Sequence, residues 1–341
     1  MSATRRDAGD DAYPGLVFET LTAYRRTAAL KGALELDLFT AIAEGNDDAA
    51  AIAARCRADP RGTRILCDCM VALGFLIKAN DRYALTPTSA AFLDRRAPRY
   101  MGGMAQFLDA PAIAAGFADV AAAVRNGGTV LGGRGTLAPQ HPVWVDFARA
   151  MAARAALTAE PLGWLLALGG ARVALLDVAA GHGLFGITLA RAHPGLAVTA
   201  LDWPAVLDEA RRNAAAAGVA ERFATIAGDA FAVDLGGPYD VVLLANFLHH
   251  FDESECVALL RRLRAALAPG GRAVTLDFVP DEDRIGPGSV PLFNLAMLVT
   301  TPRGEAHTFG AYERMFAAAG FARSELHPLP PTPQRVVISH A

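Results

Sequence analysis

Cysteine is scarce: only Cys56, Cys67, Cys69 and Cys256 occur in 341 residues, which excludes a disulfide-stapled scaffold. Cys67 and Cys69 stand two apart on a stretch that reads as helix, so their side chains diverge instead of converging on a metal or a disulfide. Reduced thiols packed as small apolar groups are expected. An excess of charge is missing too, since 32 Lys and Arg against 35 Asp and Glu leave a formal net charge of −3. Such a balance gives no long-range pull on nucleic acid phosphates or an anionic membrane, so neither is expected as a partner. No apolar run is long enough to span a bilayer, and the opening MSATRRDAGDDAY lacks an apolar signal core. A cytoplasmic protein is the default expectation. There is no internal repeat.

What is present is ample apolar material. The chain is 53% hydrophobic and 20% charged, enough to bury a sizeable core, and its length suits two domains. Residues 1–13 are polar and expected to be loose. Helical spacing dominates 14–100: Leu16, Thr20, Leu21 and Tyr24 share a face, Leu34, Leu38 and Ile42 another, and Ala49–Cys56 and Thr63–Leu73 follow. Phe75–Lys78 and Arg82–Leu85 then read as a hairpin, completing a winged-helix arrangement. A glycine-rich stretch at 126–135 precedes a helix over Val143–Leu157, within a linker segment taken as 101–160. Beyond it, in 161–341, strand-like and helical runs alternate. The strands are Val173–Val178, Ala197–Leu201, Phe223–Ile226, Val241–Leu244 and Arg272–Phe278. Their helices are Leu184–Ala192, Ala205–Ala217 and Glu253–Ala268, the last stopped by Pro269-Gly270-Gly271. That alternation predicts an α/β domain with a mainly parallel sheet covered on both faces, and Ala322–Leu326 with Arg335–Ser339 predicts an antiparallel edge pair.

The strand ending in Asp177 runs into Gly181-His182-Gly183 and then a helix. Ligands of open α/β sheets sit at the carboxyl ends of the strands, and glycine lets the backbone approach them closely. The next strand ends in Asp202, whose carboxylate can accept hydrogen bonds from both hydroxyls of a ribose. Gly181, Gly183 and Gly186 also satisfy the dinucleotide pattern G-x-G-x-x-G, so two ligands fit at this point. Asp177 favours one carrying an ammonium and a sulfonium and would repel a pyrophosphate.

Four motifs in order, Asp177 to Gly183, Leu201-Asp202-Trp203-Pro204, Gly228-Asp229-Ala230-Phe231 and Asn246-Phe247-Leu248-His249-His250-Phe251, resemble those of the small-molecule O-methyltransferases that use S-adenosylmethionine (SAM). The resemblance covers nearly the whole chain. It implies a Rossmann-like class I methyltransferase domain with a seven-stranded sheet, and an N-terminal winged-helix domain that forms a homodimer. Asp202 is thereby assigned to the ribose hydroxyls and Asp229 to the adenine amino group, with Phe231 packed on the ring. Trp203, Ala230 and Asn246 belong to the same cofactor motifs. Met151 matches a methionine near the cofactor, though simple helix packing explains it nearly as well. Where the family often has a lysine, this chain has Ala245.

Transfer from a sulfonium needs an acceptor aligned with the methyl carbon and a base for its proton. His249 matches the family's catalytic histidine, and Asp252 with Glu255 reads as a capping box that would fix its loop. The base is usually held by acidic partners in these enzymes. Asp277 fits one; at the other the best register gives Ala306, with Glu305 one residue off. His250 either lines the acceptor pocket or caps a helix. Trp144, Phe147, Phe293 and Met297 are candidates for the walls around a small aromatic or polyketide-like acceptor, and equally for ordinary core. His249, His250 and a carboxylate could instead hold a metal, but adjacent residues point apart and no metal is expected. A C-methyltransferase and a catalytically inactive SAM-binding relative are the alternatives within the fold. A DNA-binding regulator is the alternative outside it, yet Arg61–Phe75 carries only Arg61 and Arg64 before turning apolar.

Overall fold

The computed structural model describes residues 14–108, 110–169 and 172–341, so the segment 1–13 expected to be loose lies outside the described residues. Two compact units meet at the Ala105–Gln106 bond. In the first, α1 (Pro14–Thr22), α2 (Tyr24–Glu35), α3 (Leu38–Ala43), α4 (Ala49–Cys56) and α5 (Pro60–Ala72) precede the antiparallel pair β1 (Leu76–Ala79) and β2 (Arg82–Leu85), and α6 (Pro87–Phe92) follows. Local chemistry sets these starts. Asp48 accepts the Ala50 and Ala51 N–H groups ahead of α4, and Asp59 accepts Gly62 N–H ahead of α5, with Pro60 in the first turn where its missing N–H costs nothing. Asn80 and Asp81 both adopt positive φ between β1 and β2, the turn a tight hairpin needs.

The core of this unit packs Leu38, Phe39, Ile52, Met70 and Leu76. Cys67 points into it while Cys69 is only half buried, as their two-residue offset requires, and burial pushes the Cys67 thiol up to about 12. Asp68 ties the wing to α5, accepting from Lys78 Nζ and Tyr83 Oη at 2.8 Å each. By contrast α1 has no buried residue among the described ones: Leu16, Val17, Phe18 and Leu21 are 59–70% exposed.

Helix α7 (Gly103–Leu108) spans the division, and α8 (Pro111–Ala118) and α9 (Val120–Asn126) open the second unit. The sheet there contains β3 (Val173–Val178), β4 (Leu196–Asp202), β5 (Phe223–Ala227), β6 (Tyr239–Ala245), β7 (Leu267–Asp277), β8 (Arg323–Pro328) and β9 (Arg335–His340), in the order β5-β4-β3-β6-β7-β9-β8. The first five are parallel, and β9 and β8 close the edge antiparallel, as the sequence pattern predicts. Strand order reverses direction between β3 and β6, which opens a crevice at their carboxyl ends.

Around it lie α10 (Val143–Leu166), α11 (Leu184–Ala192), α12 (Pro204–Ala216), α13 (Glu253–Ala265), α14 (Val290–Thr300) and α15 (Phe309–Ala318). Two elements run past the stops read from sequence. Helix α10 continues through Pro161, because Leu162 and Leu166 beyond it are fully buried against Leu175, Ile187 and Leu189, and that burial outweighs one lost backbone hydrogen bond. Strand β7 begins at Leu267, and Pro269-Gly270-Gly271 is a bulge inside it: Leu267 pairs with Tyr239, and pairing resumes with Arg272 opposite Val241. Helix α14 has no counterpart in the sequence reading. No described helix is long and apolar enough to cross a membrane.

Candidate active site

The turn after β3 is a set of left-handed residues, Ala179, Gly181 and Gly183, at φ 54°, 58° and 72°. Glycine is needed at 183 twice over, since a Cβ there would also press on Ala210 and Phe223 at 3.1 Å. Nothing stands within 4 Å of where a Gly181 Cβ would be, so that backbone faces open space. Gly186, the third glycine of the pattern, serves packing, because its Cβ would meet Val198 at 2.7 Å. With no side chain at Gly183 to cap α11, His182 does so through Nδ1, which accepts Leu184 N–H at 3.0 Å. Burial lowers the His182 pKa to about 4, so the ring is neutral and able to accept.

Two carboxylates hold this turn. Asp202, at the end of β4, accepts Gly181 N–H at 2.8 Å and Trp203 N–H at 2.7 Å. Burial pushes its carboxyl up to about 6 against the pull of those two donors. Asp177 lies beneath the turn and accepts Gly186 N–H at 3.3 Å through Oδ2, while its buried Oδ1 has no partner. Burial, reinforced by the Asp202 charge and opposed by Gly186 N–H, raises it to about 7.

A cavity of about 500 Å³ opens above the turn. Gly181, Asp202, Trp203, Gly228, Asp229, Ala230, Phe231 and Asn246 form one wall. Asp229 accepts Phe231 N–H at 2.9 Å, which fixes the carboxylate at the cavity edge. Phe231, Phe251 and Phe247 meet edge to face at 5.0 and 5.1 Å. Trp144, Phe147 and His250 line it too, Trp144 being anchored by Nε1–H donation to Thr136 O at 2.9 Å. The sequence reading missed Leu137, Val206, and the ion pair of Arg134 with Glu255 at 3.0 Å; all four line the cavity. Arg134 sits in the glycine-rich stretch that already stood out, but its partner lies across 121 residues of chain.

His249 follows β6 on the short turn Leu248–His250, entered through Asn246 at φ 56° and closed by the expected capping box of Asp252 and Glu255. Its Nδ1 lies 2.5 Å from Asp277 Oδ1, at the end of β7, with both side chains buried. Asp277 also accepts Phe278 N–H at 2.7 Å and the Tyr312 hydroxyl at 2.9 Å. Burial works against its charge, but His249 and these donors outweigh it and hold the carboxyl below its ordinary range. The His249 ring meets the Phe293 ring nearly at right angles, with centroids 4.8 Å apart, and the His250 ring with centroids 4.3 Å apart. His250 faces the cavity with Nδ1 unpartnered, and burial keeps it neutral.

Not every expected residue reaches the cavity. His249, Asp277, Phe293, Met297 and Met151 do not line it; the His249 ring instead lies against His250, which does, and Met151 is buried in α10. No acid stands at 306. Ala306 packs with Phe278, Val290 and Phe293 and donates its N–H to Asn294, while Glu305 turns outward to Arg284. Among the described residues no group of three or more His, Cys, Asp or Glu is placed to hold a metal ion.

The residues present fit an adenosyl group: a bare glycine backbone at 181, a carboxylate at Asp202, and Asp229 with Phe231 as edge and face for a purine. An O-methyltransferase domain model matches residues 135–322, and an O-methyltransferase dimerisation domain model matches 18–95. The chain belongs to the SAM-dependent O-methyltransferases. The enzyme is 33% identical to a 3-hydroxy-5-methyl-1-naphthoate 3-O-methyltransferase of Streptomyces sahachiroi, over 90% of this chain and 89% of that one. It is 31% identical to the tetracenomycin polyketide synthesis 8-O-methyl transferase of Streptomyces glaucescens, over 90% and 91%. Among solved structures, a candidate O-methyltransferase of Nostoc punctiforme superposes with a TM-score of 0.93 at 46% identity, covering 97% of this chain and all (100%) of that one. PigF bound to S-adenosylhomocysteine superposes with a TM-score of 0.85 at 27% identity, over 97% and 100%. SAM is accordingly the O-methyltransferase's cofactor, and the dinucleotide alternative falls away.

Proposed function

We propose that this O-methyltransferase methylates a phenolic hydroxyl of a small aromatic or polyketide-like acceptor, with His249 as general base held by Asp277. The 2.5 Å contact between the buried His249 Nδ1 and Asp277 Oδ1 carries the reading. It keeps the proton on Nδ1 and leaves the Nε2 lone pair free. SAM supplies a methyl group on a sulfonium, a leaving group that needs no further activation. Asp202 would hold the ribose, Asp229 the adenine amino group, and the Gly181 backbone admits the methionyl portion. His249 Nε2 would take the phenolic proton as the methyl group passes from the sulfonium sulfur to the oxygen, and Asp277 would stabilise the imidazolium until the proton leaves to water.

The acceptor class is supported by the names of the two Streptomyces relatives, one a 3-O-methyltransferase of a hydroxynaphthoate and the other an 8-O-methyl transferase of tetracenomycin polyketide synthesis. Trp144, Phe147 and His250 offer an aromatic, mainly apolar lining of the right kind for such rings. Residues 101–160 thus serve as the pocket-lining linker, and residues 14–100 as the dimerisation domain, pairing with a second copy through the apolar residues that α1 leaves exposed. A mass-spectrometric screen tests the reading. Incubated with SAM and a panel of hydroxynaphthoates, hydroxylated polyketides and simple phenols, the enzyme should add one CH2 to a hydroxylated member. Methylation at carbon, or of no hydroxyl in the panel, counts against it.

A further inference from the structure

The apolar setting of Ala306 leaves His249 with a single acid, so whatever orients that acid controls the base. Asp277 is wholly buried, and its Oδ1 already takes two donors, His249 Nδ1–H and Phe278 N–H. Its Oδ2 takes one, the Tyr312 hydroxyl at 2.9 Å. Tyr312 comes from α15, is fully buried, and is seated edge-on to His307 with ring centroids 5.8 Å apart. A phenylalanine would fill the same space among Leu260, Met315 and Phe316 without bringing a hydroxyl into the core. A buried hydroxyl is costly unless it is partnered, and here its partner is the carboxylate that holds the proposed base.

We propose that Tyr312 is a positioning residue for methyl transfer, gripping Asp277 from behind and so doing, through one acid, what a second acid beside the imidazole would otherwise do. This rests on the reading of His249 as base. The phenol acts as a fixed donor, because burial and the Asp277 charge keep it un-ionised throughout the working range. Donation to Oδ2 favours the ionised carboxylate and pins its plane, so that Oδ1 stays turned to Nδ1. The other buried titratable groups around the pair are driven towards their neutral forms. Burial lowers His250 beside it on the turn and His307 ahead of α15, and raises Cys256 on α13. Arg335, opposite Asp277 on β9, turns its guanidinium to Asp281 and Val279 O instead.

The test is Tyr312→Phe in the full-length enzyme, assayed with SAM and a hydroxynaphthoate. Losing a hydrogen bond to a buried carboxylate weakens its ionised form, so the His249–Asp277 pair takes up its proton at higher pH. The acid limb of the kcat/KM profile should move up by about one pH unit, and kcat should fall about tenfold with KM for SAM unchanged. Histidine-ring NMR of the ligand-free protein should show the same upward move of the pair's titration without any acceptor. An acid limb and a ring titration that stay in place, whether turnover is intact or uniformly lower at every pH, would mean that Tyr312 merely packs, and would overturn the proposal. His249→Ala separates the two readings. Full turnover in that variant sinks the base and this inference with it; an inactive His249→Ala beside an unshifted Tyr312→Phe sinks the tyrosine alone.

Discussion

Asp202 Oδ2 accepts the Gly181 N–H at 2.8 Å, joining the end of β4 to the glycine turn that follows β3. One carboxylate therefore shapes the cavity floor and stands ready for a ligand hydroxyl. Because burial holds it at about 6, it is ionised at pH 8 and largely protonated at pH 5. SAM affinity measured by calorimetry should rise across that interval. Asp202→Ala should weaken binding by about tenfold to a hundredfold at pH 8, the value of a hydrogen bond to a charged acceptor. Unaltered affinity would count against the ribose role.

For the proposed base, His249→Ala should keep SAM affinity and lose about a hundredfold or more in kcat on a phenolic acceptor, the usual contribution of a positioned base. Calorimetry and single-turnover assays read the two effects separately.

Asp177 predicts a stability effect of unusual sign. Its folded pKa of about 7 stands above the ordinary 3.8, so between those values the folded state binds more protons than the unfolded one. Stability of the ligand-free protein contributed by this group is then fully present below about pH 4 and is lost as pH rises towards 7 and beyond. Asp177→Asn keeps an acceptor for Gly186 N–H and removes the buried charge. It should raise the thermal midpoint at pH 8 and leave it nearly unchanged at pH 4, as followed by scanning calorimetry.

The exposed residues of α1 lead to a fourth expectation. Phe18→Asp with Leu21→Asp places charge where the proposed dimer would bury apolar surface, and touches nothing packed within the chain. Sedimentation velocity should show a shift from dimer to monomer while the folded signal of the catalytic unit persists.

Much of this protein was legible before any coordinates. The parallel strands, the helices between them and the capping box at Asp252 follow from short-range patterns, since a strand repeats every second residue and a cap acts within one turn. The glycine turn could be located for the same reason, although its pattern alone left two ligands open. The helix read over Val143–Leu157 runs on to Leu166 because burial of Leu162 and Leu166 favours it, and Pro269-Gly270-Gly271 misled because a local breaker rule yields to a bulge. Helix α14 was missed: it is apolar throughout most of its length, and its faces give no clear period.

By itself, then, the sequence determined the order of elements and the types of residue brought to the carboxyl ends of the strands, because backbone preference and periodicity act over a few positions. Only the tertiary structure decided which of those residues meet. It buried Asp177 beneath the turn, set the His249 ring against those of His250 and Phe293, and placed the Tyr312 hydroxyl on Asp277 across 35 residues. Such contacts depend on how α14 and α15 pack against the sheet, and no local spacing encodes the distance between side chains on separate elements.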